Sequence, residues 1–161
     1  MAERVRITYA TMSADNEQLH ADYERGVETA KSWLGQKHPF YVNGEAREGE
    51  GYDEERSPID RDVLIGYFAR ATRQDAKDAI EAARKFFPTW SGTPWDERVR
   101  IMRRAADEIS DHVYELAALM AMEVGKSRLE AIGDVEETAD LIRYYCTQME
   151  ENHGFAFPMG A

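Results

Sequence analysis

The run MEVGKSRLE holds Gly125-Lys126-Ser127, the ending of a phosphate-binding loop, and the chemistry of such a loop is nucleotide binding. The full pattern, GxxxxGK[ST], puts a first glycine at position 120, where this chain has Met120. The residues before Gly125 have helical periodicity, and the end of a helix presents carbonyl oxygens that repel phosphate. Gly125 therefore reads as the close of one helix and Ser127 as the cap of the next. Cys146, the one thiol, follows Ile142 by four and precedes Met149 by three, so it falls on an apolar helix face and reads as a small core hydrophobe rather than a nucleophile. Glu150-x-x-His153 has the spacing of a carboxylate-bridged metal motif, but that motif works with a second copy, which the sequence lacks. His20, His38 and His112 stand at no ligand or triad spacing. The acids Glu48, Glu50, Asp53, Glu54 and Glu55 lack a calcium-loop pattern and read as a solvated loop. Trp90 and Trp95 flank a helix junction and read as packing residues.

The scaffold for these residues is bounded by composition. The chain has 161 residues, 43% of them hydrophobic and 32% charged, which is the balance of one folded domain with a core. Twenty Lys+Arg against 31 Asp+Glu leave a net charge of −11, and the basic residues are scattered, which argues against nucleic acid and anionic membranes as partners. A single cysteine excludes an internal disulfide framework. The opening MAERVRITYATMS has no signal-like apolar run, and no stretch approaches a membrane span, so a cytoplasmic location is expected.

Periodicity predicts mostly helix. Residues 1–12 read as an arm. After Ser13, Leu19, Tyr23, Val27, Ala30 and Leu34 recur at helical steps up to a stop at Gly35. Phe40-Tyr41-Val42 followed by Asn43-Gly44 is a strand entering a tight hairpin, and residues 63–69, VLIGYFA, form a second apolar strand after connecting turns in REGEGYDEERSPIDRD. Thr72 and Asp75 are spaced as a helix cap and its first-turn acid, with Ala76, Ile80, Ala83 and Phe87 on one apolar face up to Pro88. Thr93-Pro94 reads as a hydroxyl cap and a first-turn proline opening the longest helix, which runs to near Gly125, and a last helix spans residues 127–152. The expected fold is predominantly α with two small β-hairpins.

Several of these pieces, in order, resemble the N-terminal part of an aldehyde dehydrogenase. They are FYVNGE at residues 40–45, the run SPIDRDVLIGYFARATRQDAKDAIEAARKFFPTWSGTPWDERVRIMRRAADEI, and ELAALMAMEVGKSRLEA. WLGQKHPFYVNGE and DVEETADLIRYYCTQM are similar to the glutamate-semialdehyde (1-pyrroline-5-carboxylate) dehydrogenase branch of that family. Ser127, where the family usually has proline, and SPIDRD in place of NPATGE depart from its pattern and leave the substrate open. The resemblance implies a partial α/β fold, with residues 13–161 as an incomplete helical framework of a three-domain enzyme. It also implies NAD or NADP as hydride acceptor, a small-molecule aldehyde as substrate, and a homo-oligomeric parent.

In that chemistry a cysteine thiolate attacks the aldehyde, hydride leaves the adduct, and a glutamate-activated water hydrolyses the thioester. The sequence carries no GxGxxG and no segment resembling the family's nucleophile, base or nucleotide loops, so neither a catalytic nor a cofactor-binding residue is assigned to it. The chain is expected to be inactive alone and to act with the remainder of an enzyme or a complementary chain. The other reading is an independent helical interaction module. One residue is assigned by the branch resemblance: Glu137, matching a glutamate at the aldehyde site, stands either as a substrate contact or as a solvated carboxylate on a helix face.

Overall fold

The computed structural model describes Ile7, Met12, Ser13 and residues 15–157, so the expected arm at residues 1–12 lies almost wholly outside the described residues. The elements run α1 (Glu17–Trp33), β1 (Gln36–His38), β2 (Phe40–Val42), β3 (Glu45–Arg47), β4 (Tyr52–Arg56), β5 (Leu64–Ala69), α2 (Arg73–Gly92), α3 (Trp95–Asp111), α4 (Val113–Val124) and α5 (Arg128–Glu151), followed by a 3-10 turn at His153–Phe155. They sort into two units. One holds α1 to Ala30, α3, α4 to Ala121 and α5; the other holds the strands, α2 and Met122–Gly125.

In the helical unit, α1 starts at Glu17 rather than directly after Ser13, because the Asn16 carboxamide accepts from the Leu19 N–H at 3.1 Å and supplies the cap. The predicted longest helix is two helices. At His112 the backbone leaves helical geometry (φ −110, ψ 23), ending α3, and α4 begins at the next residue. The longest helix is instead α5, 24 residues, within one residue of its predicted span at either end. Leu19, Tyr23 and Ala30 of α1, Val99 and Ala106 of α3, Val113, Ala117 and Ala118 of α4, and Ala131, Ile132, Val135, Ala139 and Cys146 of α5 are buried. So many small residues let backbones approach closely, and Gly26 goes furthest: a Cβ there would lie 2.6 Å from the Tyr114 carbonyl carbon.

The other unit carries more β structure than the sequence pattern shows. β2 and β3 form the predicted hairpin, with Asn43 (φ 53) and Gly44 (φ 79) both left-handed, as a type I′ turn demands. β4 and β5 form the second hairpin, but β4 is YDEER, which reads as turn in sequence. Its charges are tolerated because β4 lies at a sheet edge, where Arg70 pairs with Glu50 (3.3 Å) and Asp53 (2.9 Å), and Arg56 with Glu54 (2.5 Å). On the other side of β5 runs a strand the sequence did not announce, β1, paired parallel with Lys37 opposite Tyr67. Gly66 leaves room for the His38 ring, which stacks on Phe68 at 5.0 Å.

Helix α2 opens with the predicted capping box, Thr72 Oγ1 accepting from the Asp75 N–H at 3.2 Å and Asp75 from the Thr72 N–H at 2.9 Å. Arg47 from β3 reaches both Asp75 (3.0 Å) and Asp78 (2.8 Å); the Thr72 donors and then Arg47 hold the Asp75 carboxyl below the usual range, and Arg47 with Gln74 does so for Asp78. The helix does not stop at Pro88; it continues to Gly92, with Ser91 Oγ donating to the Pro88 carbonyl at 3.3 Å. Thr93 accordingly ends α2 instead of opening α3, its hydroxyl donating to the Thr89 carbonyl at 2.9 Å, and Pro94 takes the cap position of α3. The apolar face of α2 is not buried: Ala76, Ile80, Ala83 and Phe87 are all exposed.

Candidate functional site

Helix α5 positions the one residue singled out for substrate, Glu137. The helix is opened by Ser127, whose N–H and hydroxyl both donate to Glu130 (3.1 and 2.6 Å), holding that carboxyl low. Before it, Gly125 (φ 76) closes α4, so the Gly-Lys-Ser run is a helix-to-helix junction, and Lys126 pairs with Asp134 instead of standing over an anion. Arg128 lies over the Tyr23 ring at 4.4 Å and pairs with Glu24, tying α5 to α1.

The two neighbouring glutamates at the middle of α5 have different surroundings. Glu136, 12% exposed, accepts from Ser110 Oγ at 2.9 Å and lies 3.9 Å from Arg143. Arg143 also reaches Asp107 (3.1 Å), Asp140 (3.3 Å), Ser110 Oγ (3.0 Å) and the Ala106 carbonyl (3.2 Å), fastening α5 to α3. Glu137 is exposed and makes no hydrogen bond or ion pair with any described residue. A helical step of four places it on the face that carries Leu141 and then Tyr144 and Tyr145, all exposed. A carboxylate so placed can accept hydrogen bonds from a cationic or hydroxylic ligand; with no nucleophile or base beside it among the described residues, it can bind but not react.

The remaining candidates fall into place as packing. Cys146 is 4% exposed, with its thiol 3.8 Å from the Val99 carbonyl. Burial pushes its pKa up; Arg103 works against that and Glu150 with it, and burial wins. This is the opposite of an activated thiol. Glu150 does not await a metal: Arg103 grips it at 3.0 and 2.5 Å and holds it ionised below the usual carboxylate range. Among the described residues no three His, Cys, Asp or Glu side chains are grouped to hold a metal ion. His20 faces an Arg128 nitrogen at 2.9 Å, and His112 ends α3. Trp95 and Trp90 are half-buried, and the Trp95 indole lies so close over Gly154 that a Cβ there would collide with it.

The residues that sequence reasoning passed over are arginines within the apolar spacing of α3 and α5. Arg103 and Arg143 have no part in the sequence motifs, yet each is half-buried and joins two helices. Their visible signal is position: each falls one helical step from a core residue, Arg103 three before Ala106 and Arg143 three before Cys146.

The helical framework, the hairpin ending in Asn-Gly-Glu and the capped α2 can now be set against known proteins. The aldehyde dehydrogenase family profile matches residues 46–161. The chain belongs to the aldehyde dehydrogenase family. Within that family it is 35% identical over 130 residues to the 1-pyrroline-5-carboxylate dehydrogenase of Bacillus licheniformis, covering 80% of this chain and 25% of the relative. It is 33% identical over 129 residues to 1-pyrroline-5-carboxylate dehydrogenase 2 of Bacillus subtilis, again 80% of this chain and 25% of the relative. Among solved structures, a Thermus thermophilus 1-pyrroline-5-carboxylate dehydrogenase variant superposes with a TM-score of 0.86 at 25% identity, over 100% of this chain and 31% of that one. A Thermus 1-pyrroline-5-carboxylate dehydrogenase with bound NAD gives 0.81 at 28% identity, over 91% and 28%. The chain thus spans about a quarter of the length of the curated relatives it matches.

Proposed function

We propose that this chain is the N-terminal framework of a cytoplasmic, NAD-dependent dehydrogenase that oxidises L-glutamate γ-semialdehyde, the open form of 1-pyrroline-5-carboxylate, to glutamate in proline catabolism. The observation that carries this reading is the unpaired Glu137 on α5, in a chain whose relatives at 35% and 33% identity are 1-pyrroline-5-carboxylate dehydrogenases. Glutamate semialdehyde bears an α-ammonium group, and a carboxylate held on a capped, cross-linked helix is a suitable acceptor for it. Arg143, Glu136 and Ser110 fix α5 against α3, so Glu137 is presented on a rigid element. NAD would supply the hydride acceptor when bound to the complete enzyme. Among the described residues nothing is built to cradle its pyrophosphate: the glycine that opens the GKS run sits at the carbonyl end of α4. The thiol, the base and the dinucleotide site are therefore assigned to the rest of the enzyme, which would act as a homo-oligomer, and this chain supplies scaffold and one binding carboxylate. No described helix is long and apolar enough to cross a membrane.

The test is Glu137→Gln in the complete enzyme. The amide keeps the shape and removes the charge, so kcat/KM for the semialdehyde should fall about tenfold, through loss of one charge-assisted hydrogen bond. An aliphatic aldehyde without an ammonium group should be oxidised as before. Equal efficiency of the two enzymes on the semialdehyde would remove Glu137 from the substrate site.

A further inference from the structure

The chain has three asparagines, and the fold surrounds them differently. Asn16 is half-buried, its carboxamide accepting from the Leu19 N–H at 3.1 Å, and Asn152 is half-buried, its carboxamide donating to the Gln148 carbonyl at 2.9 Å. Asn43 is exposed at the tip of the β2–β3 hairpin, and neither its carboxamide nor the Gly44 N–H after it has a hydrogen-bond partner among the described residues. A Cβ at Gly44 would meet nothing within 4 Å, so no neighbouring atoms crowd the pair. The hairpin itself is slight. It is a two-stranded sheet with three residues in each strand, a ribbon of marginal stability by itself. Arg47 anchors its far end at Asp75 and Asp78, and Val42 is buried, but residues 43–46 are all exposed. Opening of this turn therefore belongs to the low-cost end of the chain's local motions.

A free carboxamide followed by an unshielded glycine amide can react with it. We infer that Asn43-Gly44 is a self-modification site, where the chain converts its own asparagine to isoaspartate and aspartate with water as the only co-reactant. The Gly44 amide nitrogen attacks Asn43 Cγ and gives up its proton; the Cγ–Nδ2 bond breaks and ammonia leaves, closing a succinimide ring. Water then opens that ring at either carbonyl. Addition at Cγ leaves aspartate, and addition at the backbone carbonyl carbon leaves isoaspartate, whose main chain runs through Cβ and Cγ. Nothing is oxidised or reduced. Glycine is what admits the attack, because it puts no Cβ in the path of its own nitrogen. The isoaspartate form carries an extra main-chain atom in a two-residue turn. Turn length fixes the register of a hairpin, so this product loosens the pairing of Val42 with Glu45 and of Phe40 with Arg47. The inference does not depend on the proposed dehydrogenase activity.

The test ages the full 161-residue chain in buffer beside the synthetic peptide HPFYVNGEAR, residues 38–47, which is also its tryptic fragment. Tryptic mapping, with an isoaspartate methyltransferase to label the β-linked product, follows all three asparagines over time. Asn43 should convert no more than about a hundredfold slower in the folded chain than in the free peptide, the penalty of a low-cost opening. Asn16 and Asn152 should stay intact over the same period. Asn43 surviving beyond that bound, or Asn16 or Asn152 converting as fast as Asn43, would overturn the inference. The isoaspartate form, isolated by ion exchange, is then compared with Asn43→Asp, which has the new charge without the extra main-chain atom. Amide hydrogens of residues 40–47 should exchange about tenfold faster in the isoaspartate form than in the variant. Equal exchange in the two would contradict the loosening of the hairpin.

Discussion

Ile132→Ala should lower the unfolding free energy of this chain by about 3–4 kcal/mol, within the range for deleting a branched side chain from a closed core. Ile132 is wholly inaccessible, at the first turns of α5, and is the largest side chain buried so completely among the described residues. The buried core of the helical unit is built chiefly from alanine and valine, Ala106, Ala117, Ala118, Ala131, Val135 and Ala139 among them. Side chains that short cannot swing into the space an isoleucine leaves, so the cavity persists and its cost adds to the lost transfer energy. Urea unfolding followed by circular dichroism checks this, with the midpoint falling and the slope unchanged. A loss below about 1 kcal/mol would mean that the site collapses or lies open, contrary to the packing described.

Gly26→Val should cost about 3 kcal/mol, the upper part of the usual range for overpacking. The reason is where the new atoms go. A Cβ on Gly26 would lie 2.6 Å from the Tyr114 carbonyl carbon and 2.7 Å from its oxygen, so it meets backbone rather than a side chain that can rotate away. To admit it, α1 and α4 must separate, which opens contacts along both. Ordinary helix propensity works the other way, since glycine inside a helix is itself unfavourable by about 1 kcal/mol relative to alanine. A stabilised Gly26→Val chain would therefore show that propensity wins and that the close helix crossing is not real. The same unfolding assay reads both variants, and Gly92, with open space around it, serves as the control position.

What could be read from the sequence was whatever depends on local chemistry. The Thr72–Asp75 box, the Asn43-Gly44 turn, Gly125 as a helix stop and Ser127 as a helix cap each follow from residues within four positions of one another, and each stands as expected. The elements that escaped depend on partners distant in the chain. β1, Gln-Lys-His, has no strand-like composition and exists because β5 lies alongside it; β4 is acidic and exists because it pairs with the same strand. Pro88 and Thr93 were misplaced because α2 tolerates proline near its end, and the break at His112 interrupts a hydrophobic stripe that continues across it. At the candidate site, composition alone could not separate Glu136 from Glu137. Only the packing of α3 against α5 does so, committing Glu136 to Ser110 and Arg143 and leaving Glu137 exposed. The exposed faces of α2, with Ile80 and Phe87, and of α5, with Leu141 and Tyr145, are apolar surface of the kind that marks contact with further polypeptide.

The central claim is that these residues are scaffold and binding surface for a dehydrogenase whose reacting thiol and dinucleotide cleft are supplied by other polypeptide. Purified chain, shown by intact mass to be free of any longer protein, should be given glutamate semialdehyde and NAD and followed for NADH formation. No turnover above the protein-free blank is the predicted result; steady oxidation in proportion to the amount of chain would contradict it.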